Sequence, residues 1–347
     1  MIIIVNVAIG PVPWVSGTRT HILNLVKYSS CEFKLIEYSP LSFYYPLYRG
    51  SGFLLRHEIP HIDPYGYYLA KFVLSKYNIV HTHGHPHWFD VYRKPQNSKA
   101  KYVHTVHQIY YKEDTEDLKR WKTEEILNKR LVKYCSQADA VISVSKWLQH
   151  QLNEMNIESI YIPHGIDVER CENAKSSNFR KKFHIKDEFF LFVGNNSRLK
   201  RAYLFMKLAD MMPERLFVMC GVGLSNPKVT SNLISLGHLR YDEVLDAIAA
   251  CKVLIVPSSK ETFSSVILEG IACNKPIVAT NSSGIKEILS FDKDCLFSLD
   301  NISELKEKAN KAWENGKVNS REYKSIKEEY DFKNIAKKID KSYESLI

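Results

Sequence analysis

The chain has 347 residues, 45% apolar and 25% charged, with seven cysteines and a formal net charge of +9. That composition is of a soluble globular protein long enough for two domains, and it excludes a disordered chain or a disulfide framework. The positive excess is spread over both halves, so it suits anionic small molecules or a negatively charged surface as readily as nucleic acid, and selects none of them. The opening run MIIIVNVAI lacks a basic flank and a small-residue cleavage pattern, and no apolar run approaches the length that spans a bilayer. It is expected to be a buried first strand, in a protein that stays in the cytoplasm. Seven cysteines with scattered spacing and no CxxC pair fit reduced thiols.

Along the chain, short apolar runs alternate with amphipathic stretches, as in parallel sheets built from strand–helix–strand units. Strands are expected at Ile2–Ala8, Phe33–Tyr38, Asn78–Thr82, Tyr102–His107, Ala140–Val144 and Ser159–Ile162, and helices at Thr20–Tyr28, Tyr65–Lys76, Leu118–Cys135 and Lys146–Met155. The polar stretch 167–187 carries no strand signal and reads as a domain boundary. A second strand series follows at Phe189–Val193, Leu216–Cys220, Leu233–Leu236, Val253–Val256, Ile277–Ala279 and Cys295–Phe297, and lysine-rich helical sequence closes the chain from Ile302. The fold class is therefore α/β with two Rossmann-like domains: residues 1–168, residues 169–325, and a final helix, 326–347, returning to the first. Facing domains of this kind bind ligands in a cleft at the carboxyl ends of their strands.

The most informative stretch is PSSKETFSSVILEGIACNKPIV, residues 257–278. Glu261 falls in the loop after a strand and Glu269 inside the next helix, with seven residues between. Thr262, Ser264 and Ser265 are good helix N-cap residues, so backbone amides and the positive end of a helix dipole lie between two carboxylates. A phosphate suits those amides, and sugar hydroxyls suit the carboxylates. Surface capping or ion pairing of both glutamates is the alternative on spacing alone.

This stretch and others in order along the chain resemble a retaining glycosyltransferase of family four with the GT-B fold. PVPWVSGTRTHILNLV (11–26) is similar to that family's first glycine loop, NIVHTH (78–83) to its buried strand ending in histidines, and YVHTVHQ (102–108) to the segment holding its active-site histidine. ADAVISVS (138–145) and YIPHGID (161–167) resemble the segments leading to the linker, FLFVGNNSRLKR (190–201) the strand and diphosphate loop opening the second domain, and residues 234–289 the nucleotide-binding core. The resemblance implies transfer of a hexosyl group from a nucleoside diphosphate sugar, such as a UDP or GDP sugar, to a hydroxyl of a glycan, lipid-linked or protein-linked acceptor. It implies catalysis with retention and without a metal or other required cofactor.

Carried over by position, His107 and Glu261 contact the donor sugar and Lys200, six residues after Gly194, stabilises the leaving diphosphate. Glu269 takes the ribose. Gly17 gives the phosphates close access to backbone; Gly194, Asn195 and Arg198 belong to the diphosphate loop, Gly237 and His238 to the base loop, and Thr262, Phe263, Ser264, Ser265 and Val266 to the nucleotide cradle. Several positions depart from the family pattern. Asn195 stands for an arginine, Ser16, Ser264, Asn274 and Arg201 for glycines, and His164 for an asparagine.

The run HTHGHPHW (81–88) raises a metal site. In a strand His81 and His83 share a face, but Gly84 and Pro86 should end the strand before His85 and His87, and only Asp90 offers a nearby second partner. Lining of the acceptor side of the cleft is the expected role, with no metal. Gly221-Val222-Gly223 lacks the third glycine of a dinucleotide fingerprint and reads as a tight turn. The tyrosine-rich stretch Phe43–Tyr68 falls where acceptor loops are expected, which opens peripheral contact with the inner face of a membrane and a lipid-linked acceptor beside core packing. The competing function is a non-catalytic protein binding a nucleotide sugar or nucleic acid; the evenly spread charge gives no basic stripe for nucleic acid, and none is expected as a partner.

Overall fold

A computed structural model describes residues 2–7, 17–38, 68–84, 94–114, 117–221, 223, 231–316, 318 and 320–347. Ser16, Val222, Asn226, His85, His87, Asp90 and the tyrosine-rich stretch up to residue 67 lie outside the described residues. The chain divides into two compact units, Met1–Pro163 with Ile335–Ile347, and His164–Asn334.

The first unit carries β1 (Ile2–Val7), α1 (Gly17–Tyr28), β2 (Phe33–Tyr38), β3 (Ile79–Gly84), β4 (Lys101–Val106), α2 (Leu118–Cys135), β5 (Ala140–Ser143), α3 (Lys146–Glu154) and β6 (Ile160–Tyr161). Its strands form one sheet in the order β2-β1-β3-β4-β5-β6, and every pairing is parallel. Strands covered on both faces need near-continuous apolar sequence, which is why the runs were legible. Ser145 caps α3 by accepting the Leu148 amide at 3.0 Å. The helix expected over Tyr65–Lys76 is instead a π-helical turn, Leu69–Val73, followed by a 3₁₀ turn, Leu74–Lys76. The wider turn gives a five-residue repeat, so Leu69 and Leu74 are both buried in the cluster with Val80, Tyr102 and Leu127, while Phe72 faces outward.

The second unit opens with α4 (Val168–Glu172) and α5 (Ser176–Phe183), then runs through β7 (Phe189–Val193), a 3₁₀ turn (Arg198–Lys200), α6 (Ala202–Asp210), β8 (Leu216–Cys220) and β9 (Leu233–Ser235). It continues with α7 (Tyr241–Ala250), β10 (Val253–Val256), α8 (Ser265–Ala272), β11 (Ile277–Thr280), α9 (Ser283–Leu289), β12 (Leu296–Phe297), α10 (Ile302–Asn315) and α11 (Ser320–Tyr330). The polar stretch 167–187 is thus helical and lies inside the second unit. Its one apolar face is enough to hold it: Phe179 is buried with its ring 5.7 Å from that of Phe189, and Arg180 donates to the Ala250 carbonyl at 3.0 Å. The core behind the sheet is aromatic, with Phe217 between Phe190 and Phe205 at ring distances of 4.9 and 5.2 Å. Each such buried ring contributes about 2–3 kcal/mol of transfer free energy.

Strand order in this sheet is β12-β11-β10-β7-β8-β9, all parallel. The chain winds outward from β7 to β9, then returns to place β10 on the other side of β7. The loops leaving β7 and β10 therefore diverge to opposite faces, and the crevice between them is where open parallel sheets bind ligands.

The last helix, α12 (Phe332–Glu344), supplies the final segment of the first unit. Within that unit Asp340 accepts the Ser30 amide and hydroxyl, each at 2.8 Å, and also bonds the Ser29 hydroxyl. Tyr343 is buried, and its hydroxyl shares a hydrogen bond of 2.5 Å with His81 Nδ1, while His81 Nε2 meets Thr105 Oγ1 at 2.7 Å. Both nitrogens of a fully buried imidazole are thus satisfied. That corrects the expectation that His81 lines a ligand surface: it is a polar core residue fastening α12 to β3. Tyr343→Phe leaves His81 Nδ1 buried without this partner and is expected to destabilise the protein by about 1–3 kcal/mol, measured by urea unfolding; no loss of stability would remove the tie.

Candidate active site

In the second unit the crevice between β7 and β10 gathers the predicted diphosphate and sugar residues. Gly194 ends β7, and its amide donates to the Cys220 carbonyl at 3.0 Å. Gly221, next after β8, has φ +147°, and a side-chain carbon there would fall 1.5 Å from the Gly194 carbonyl oxygen. The Gly221 amide in turn donates to the Gly237 carbonyl at 2.7 Å, and Gly237 has φ +64°. Three glycines thus stack backbone against backbone across the carboxyl ends of β7, β8 and β9, keeping this rim bare of side chains. Gly221 is the required member that the expected tight turn foreshadowed without assigning it a place.

Beyond Gly194, Asn195 is exposed and its Oδ1 accepts the Ser197 amide at 3.1 Å, closing a local turn in place of an arginine's charge. Arg198 is exposed, and Lys200 is half-buried at the end of the 3₁₀ turn. Arg201 follows with φ +54° in the left-handed region, which explains why the family pattern has glycine there. Its buried guanidinium bonds Asp300 and donates to Tyr203 Oη at 3.1 Å. Asn274, which also stands for a glycine of the family pattern, likewise has φ +54°, whereas Ser264 is an ordinary residue at φ −108°.

On the β10 side the Ser259 amide donates to the Leu199 carbonyl at 2.8 Å, locking the two loops together. Lys200 Nζ then donates to Glu261 Oε1 at 2.6 Å, with side-chain exposures of 30% and 11%. This pair is too sheltered to be a solvent-screened surface bridge. Glu261's own carbonyl accepts the Gly284 amide at 2.9 Å, and a side-chain carbon on Gly284 would lie 2.2 Å from the Thr262 carbonyl oxygen, so a glycine is needed for α9 to approach this loop. Ser264 sits at the N-cap of α8 with extended backbone, but its hydroxyl makes no capping bond. Thr262, Ser265 and Val266 are partly exposed around that terminus, while Phe263 turns inward, its ring 5.9 Å from His164 and 5.5 Å from Tyr330. His164 is buried, which holds its imidazole down at about 4. His238 is exposed beside the buried Gly237.

Glu269 is 4% exposed on α8 and accepts the Tyr241 hydroxyl at 3.0 Å. Burial pushes its carboxyl up to about 7, partly offset by the Tyr241 hydrogen bond and the Lys200 charge. Lys200 therefore acts on both carboxylates, bonded to one and felt by the other. Tyr241, at the first position of α7, had no signal in the sequence beyond its place in YDEVLDAIAA; Arg170 lies over its ring at 4.8 Å.

In the first unit Gly17 opens α1 and is exposed, and one turn further on His21 is buried. His83 Nδ1 meets His107 Nε2 at 3.1 Å, and the His21 ring lies 5.7 Å from His83 and 5.6 Å from His107. His21 went unnoticed in the sequence, although the helical repeat from Gly17 would have put it on that glycine's face. Among the described residues no group of three or more His, Cys, Asp and Glu is arranged to hold a metal ion, and no helix is long and apolar enough to cross a membrane.

Two parallel α/β units, the second with Lys200, Glu261 and the start of α8 gathered at its strand-order reversal, have a GT-B architecture. A family model described as Glycosyltransferase Family 4 matches residues 37–170, and one described as Glycosyl transferases group 1 matches residues 175–338. The chain belongs to this glycosyltransferase family. It is 28% identical over 325 residues to an uncharacterized glycosyltransferase of Methanocaldococcus jannaschii, covering 85% of this chain and 84% of that one. It is 27% identical over 187 residues to the N,N'-diacetylbacillosaminyl-diphospho-undecaprenol alpha-1,3-N-acetylgalactosaminyltransferase of Campylobacter jejuni, covering 51% and 50%. Among solved structures, Anabaena HepE in complex with UDP aligns with a TM-score of 0.72 at 16% identity, over 99% of both chains; the same protein was solved with UDP-glucose.

The raised Glu269 carboxyl has a thermodynamic signature. In the unfolded chain it loses its proton near its ordinary 4.5, and in the folded protein near about 7. Across that window the native state keeps a proton that the unfolded state has released, so stability falls as pH rises and stays reduced above it. Glu269→Gln removes this slope: between pH 4.5 and 8 the variant gains on the order of 2–3 kcal/mol relative to wild type, read by urea unfolding at a series of pH values. A constant difference across the series would place the native carboxyl at its ordinary value.

Proposed function

We propose that this glycosyltransferase moves a hexosyl group from a nucleoside diphosphate sugar to an acceptor hydroxyl with retention at the anomeric carbon. The observation that carries the reading is the Lys200–Glu261 pair in the β7/β10 crevice, beside an α8 terminus left uncapped by its own serine. The α8 amides and Lys200 bind the diphosphate, Arg198 adds charge in place of the missing arginine, and Gly194 leaves room for the phosphates. Glu261 accepts hydroxyls of the donor sugar and Glu269 those of the ribose. Gly237 and His238 border the base, and the family resemblance assigns Gly17 to the phosphates and His107 to the sugar.

Lys200 is pre-placed by Glu261 before any donor arrives, so its charge needs no reorganisation when negative charge builds on the leaving phosphate. In the chemical step the bond from the anomeric carbon to the phosphate oxygen breaks and one to the acceptor oxygen forms on the same face. The acceptor's proton goes to the departing β-phosphate oxygen, giving glycoside and nucleoside diphosphate. No covalent nucleophile is assigned, because this step needs no second carboxylate opposite the bond that breaks, and the lysine and amides supply the electrostatics otherwise expected of a metal.

A uridine donor is supported by the UDP and UDP-glucose bound to Anabaena HepE, and a lipid-linked or glycan acceptor by the diphospho-undecaprenol substrate in the name of the Campylobacter relative. A lipid-linked acceptor would bring the protein to a membrane surface. The seven cysteines are all free, in keeping with a reducing compartment such as the cytoplasm.

UDP-glucose and other nucleotide sugars are expected to raise the melting temperature, and slow release of UDP without acceptor separates an enzyme from a binder. Lys200→Ala and Glu261→Ala should each lower turnover by roughly 10²–10³-fold with unchanged circular dichroism. Wild-type rates in both variants would reject these roles.

A further inference from the structure

Of the first unit's histidines only His107 has a part in the donor chemistry above, yet His21 and His83 converge on it. His83 ends β3 fully buried, its ring 4.0 Å from His81 on one side and within 5.7 Å of His21 on α1, and its Nδ1 is 3.1 Å from His107 Nε2. His107 follows β4 and is only half-buried. One imidazole is therefore held rigidly in the core and the other stands at the boundary with solvent, joined through one nitrogen of each. His81 cannot turn toward His83, because its nitrogens are engaged by Tyr343 and Thr105. The interlocked order from α12 to β3 to His107 fixes where the His83 nitrogen sits.

We propose that His83 is a positioning residue that commits the Nε2 edge of His107 to the core, so that His107 presents its Nδ1 edge, in a single tautomer, to whatever binds at the end of β4. The contact turns the Nε2 edge of His107 inward, and in the arrangement proposed here His83 Nδ1–H donates across it, so that His107 accepts at Nε2 and carries its own hydrogen on Nδ1. His83 does this as a neutral imidazole: burial, and the neighbouring His81, His107, His21 and His104, hold it far below the ordinary range, so it stays neutral throughout the working pH range. The consequence for catalysis rests on the glycosyl-transfer reading above; the tautomer of His107 does not.

The test uses the full-length protein with ¹⁵N-labelled histidine, in which long-range ¹H–¹⁵N spectra distinguish the two neutral tautomers, and His107 is identified by the signal lost in His107→Asn. Wild type is expected to show one His107 tautomer at pH 8. His83→Asn, whose amide falls near the position of Nδ1, should keep it. His83→Gln, whose amide reaches toward the Nε2 position, should leave His107 as the mixture seen for imidazole in water. With UDP-glucose as donor, His83→Gln should lower kcat at least tenfold with KM within threefold, and His83→Asn should restore most of it. A mixture of tautomers in wild type, an unchanged His107 in His83→Gln, or stoichiometric zinc in the purified protein would overturn the proposal. Absence of transfer or hydrolysis by wild type, with the tautomer pattern as expected, would instead overturn the glycosyl-transfer reading and leave the positioning role standing.

Discussion

The parallel pairing of β10 with β7 is the constraint on which the second unit's chemistry depends. Val253 opposite Phe190 and Leu254 opposite Leu191 bring together strands separated by two full strand–helix crossovers. Two loops far apart in sequence, one carrying Lys200 and one Glu261, then leave neighbouring strand ends. The backbone bond from Ser259 to Leu199 sets their spacing to within a hydrogen bond. Only then does an ion pair between flexible side chains lose little further entropy in forming. A shift of that ladder by one residue would turn every side chain on β10 to the opposite face and separate the pair.

The same economy governs the glycines. Strand ends can lie backbone against backbone only where no side chain intervenes, and the stack of Gly194, Gly221 and Gly237 follows that rule, with the Gly194 and Gly221 amides bonded to the Cys220 and Gly237 carbonyls. Arg201 and Asn274 show the complementary case. Both adopt left-handed backbone at a cost of about 1 kcal/mol or more, and Arg201 offsets it with its bonds to Asp300 and Tyr203.

Much of the fold was legible because buried parallel strands must be apolar and their connections amphipathic: β2, β7, β8, β10 and α2 fall where the pattern placed them. The π-helical turn was not, because Leu69 and Leu74 are also compatible with an ordinary helix until the core shows which face is buried. The helices within 167–187 were hidden by their charged outer faces. At the site, the positions of Glu261, Glu269 and Lys200 came from spacing and resemblance, but the bond between Lys200 and Glu261 depends on strand order, which no local pattern encodes. Tyr241 and His21 escaped notice because each acts through a contact with a residue distant in sequence. The histidine run shows the reverse: alternation correctly placed His81 and His83 on one face, yet could not tell a core face from a ligand-facing one.

The first unit is assembled from two stretches of chain separated by all 171 residues of the second, 164–334. During synthesis at roughly 5–20 residues per second, the ribosome finishes β6 about 10–35 s before it delivers α12. Throughout that interval the nascent sheet lacks Asp340 for the Ser30 amide and Tyr343 for the His81 ring, whereas the second unit, being continuous, can close on its own as it emerges. Order of emergence and order of completion are therefore inverted: the half of the molecule made first is sealed last, by its final turns of helix.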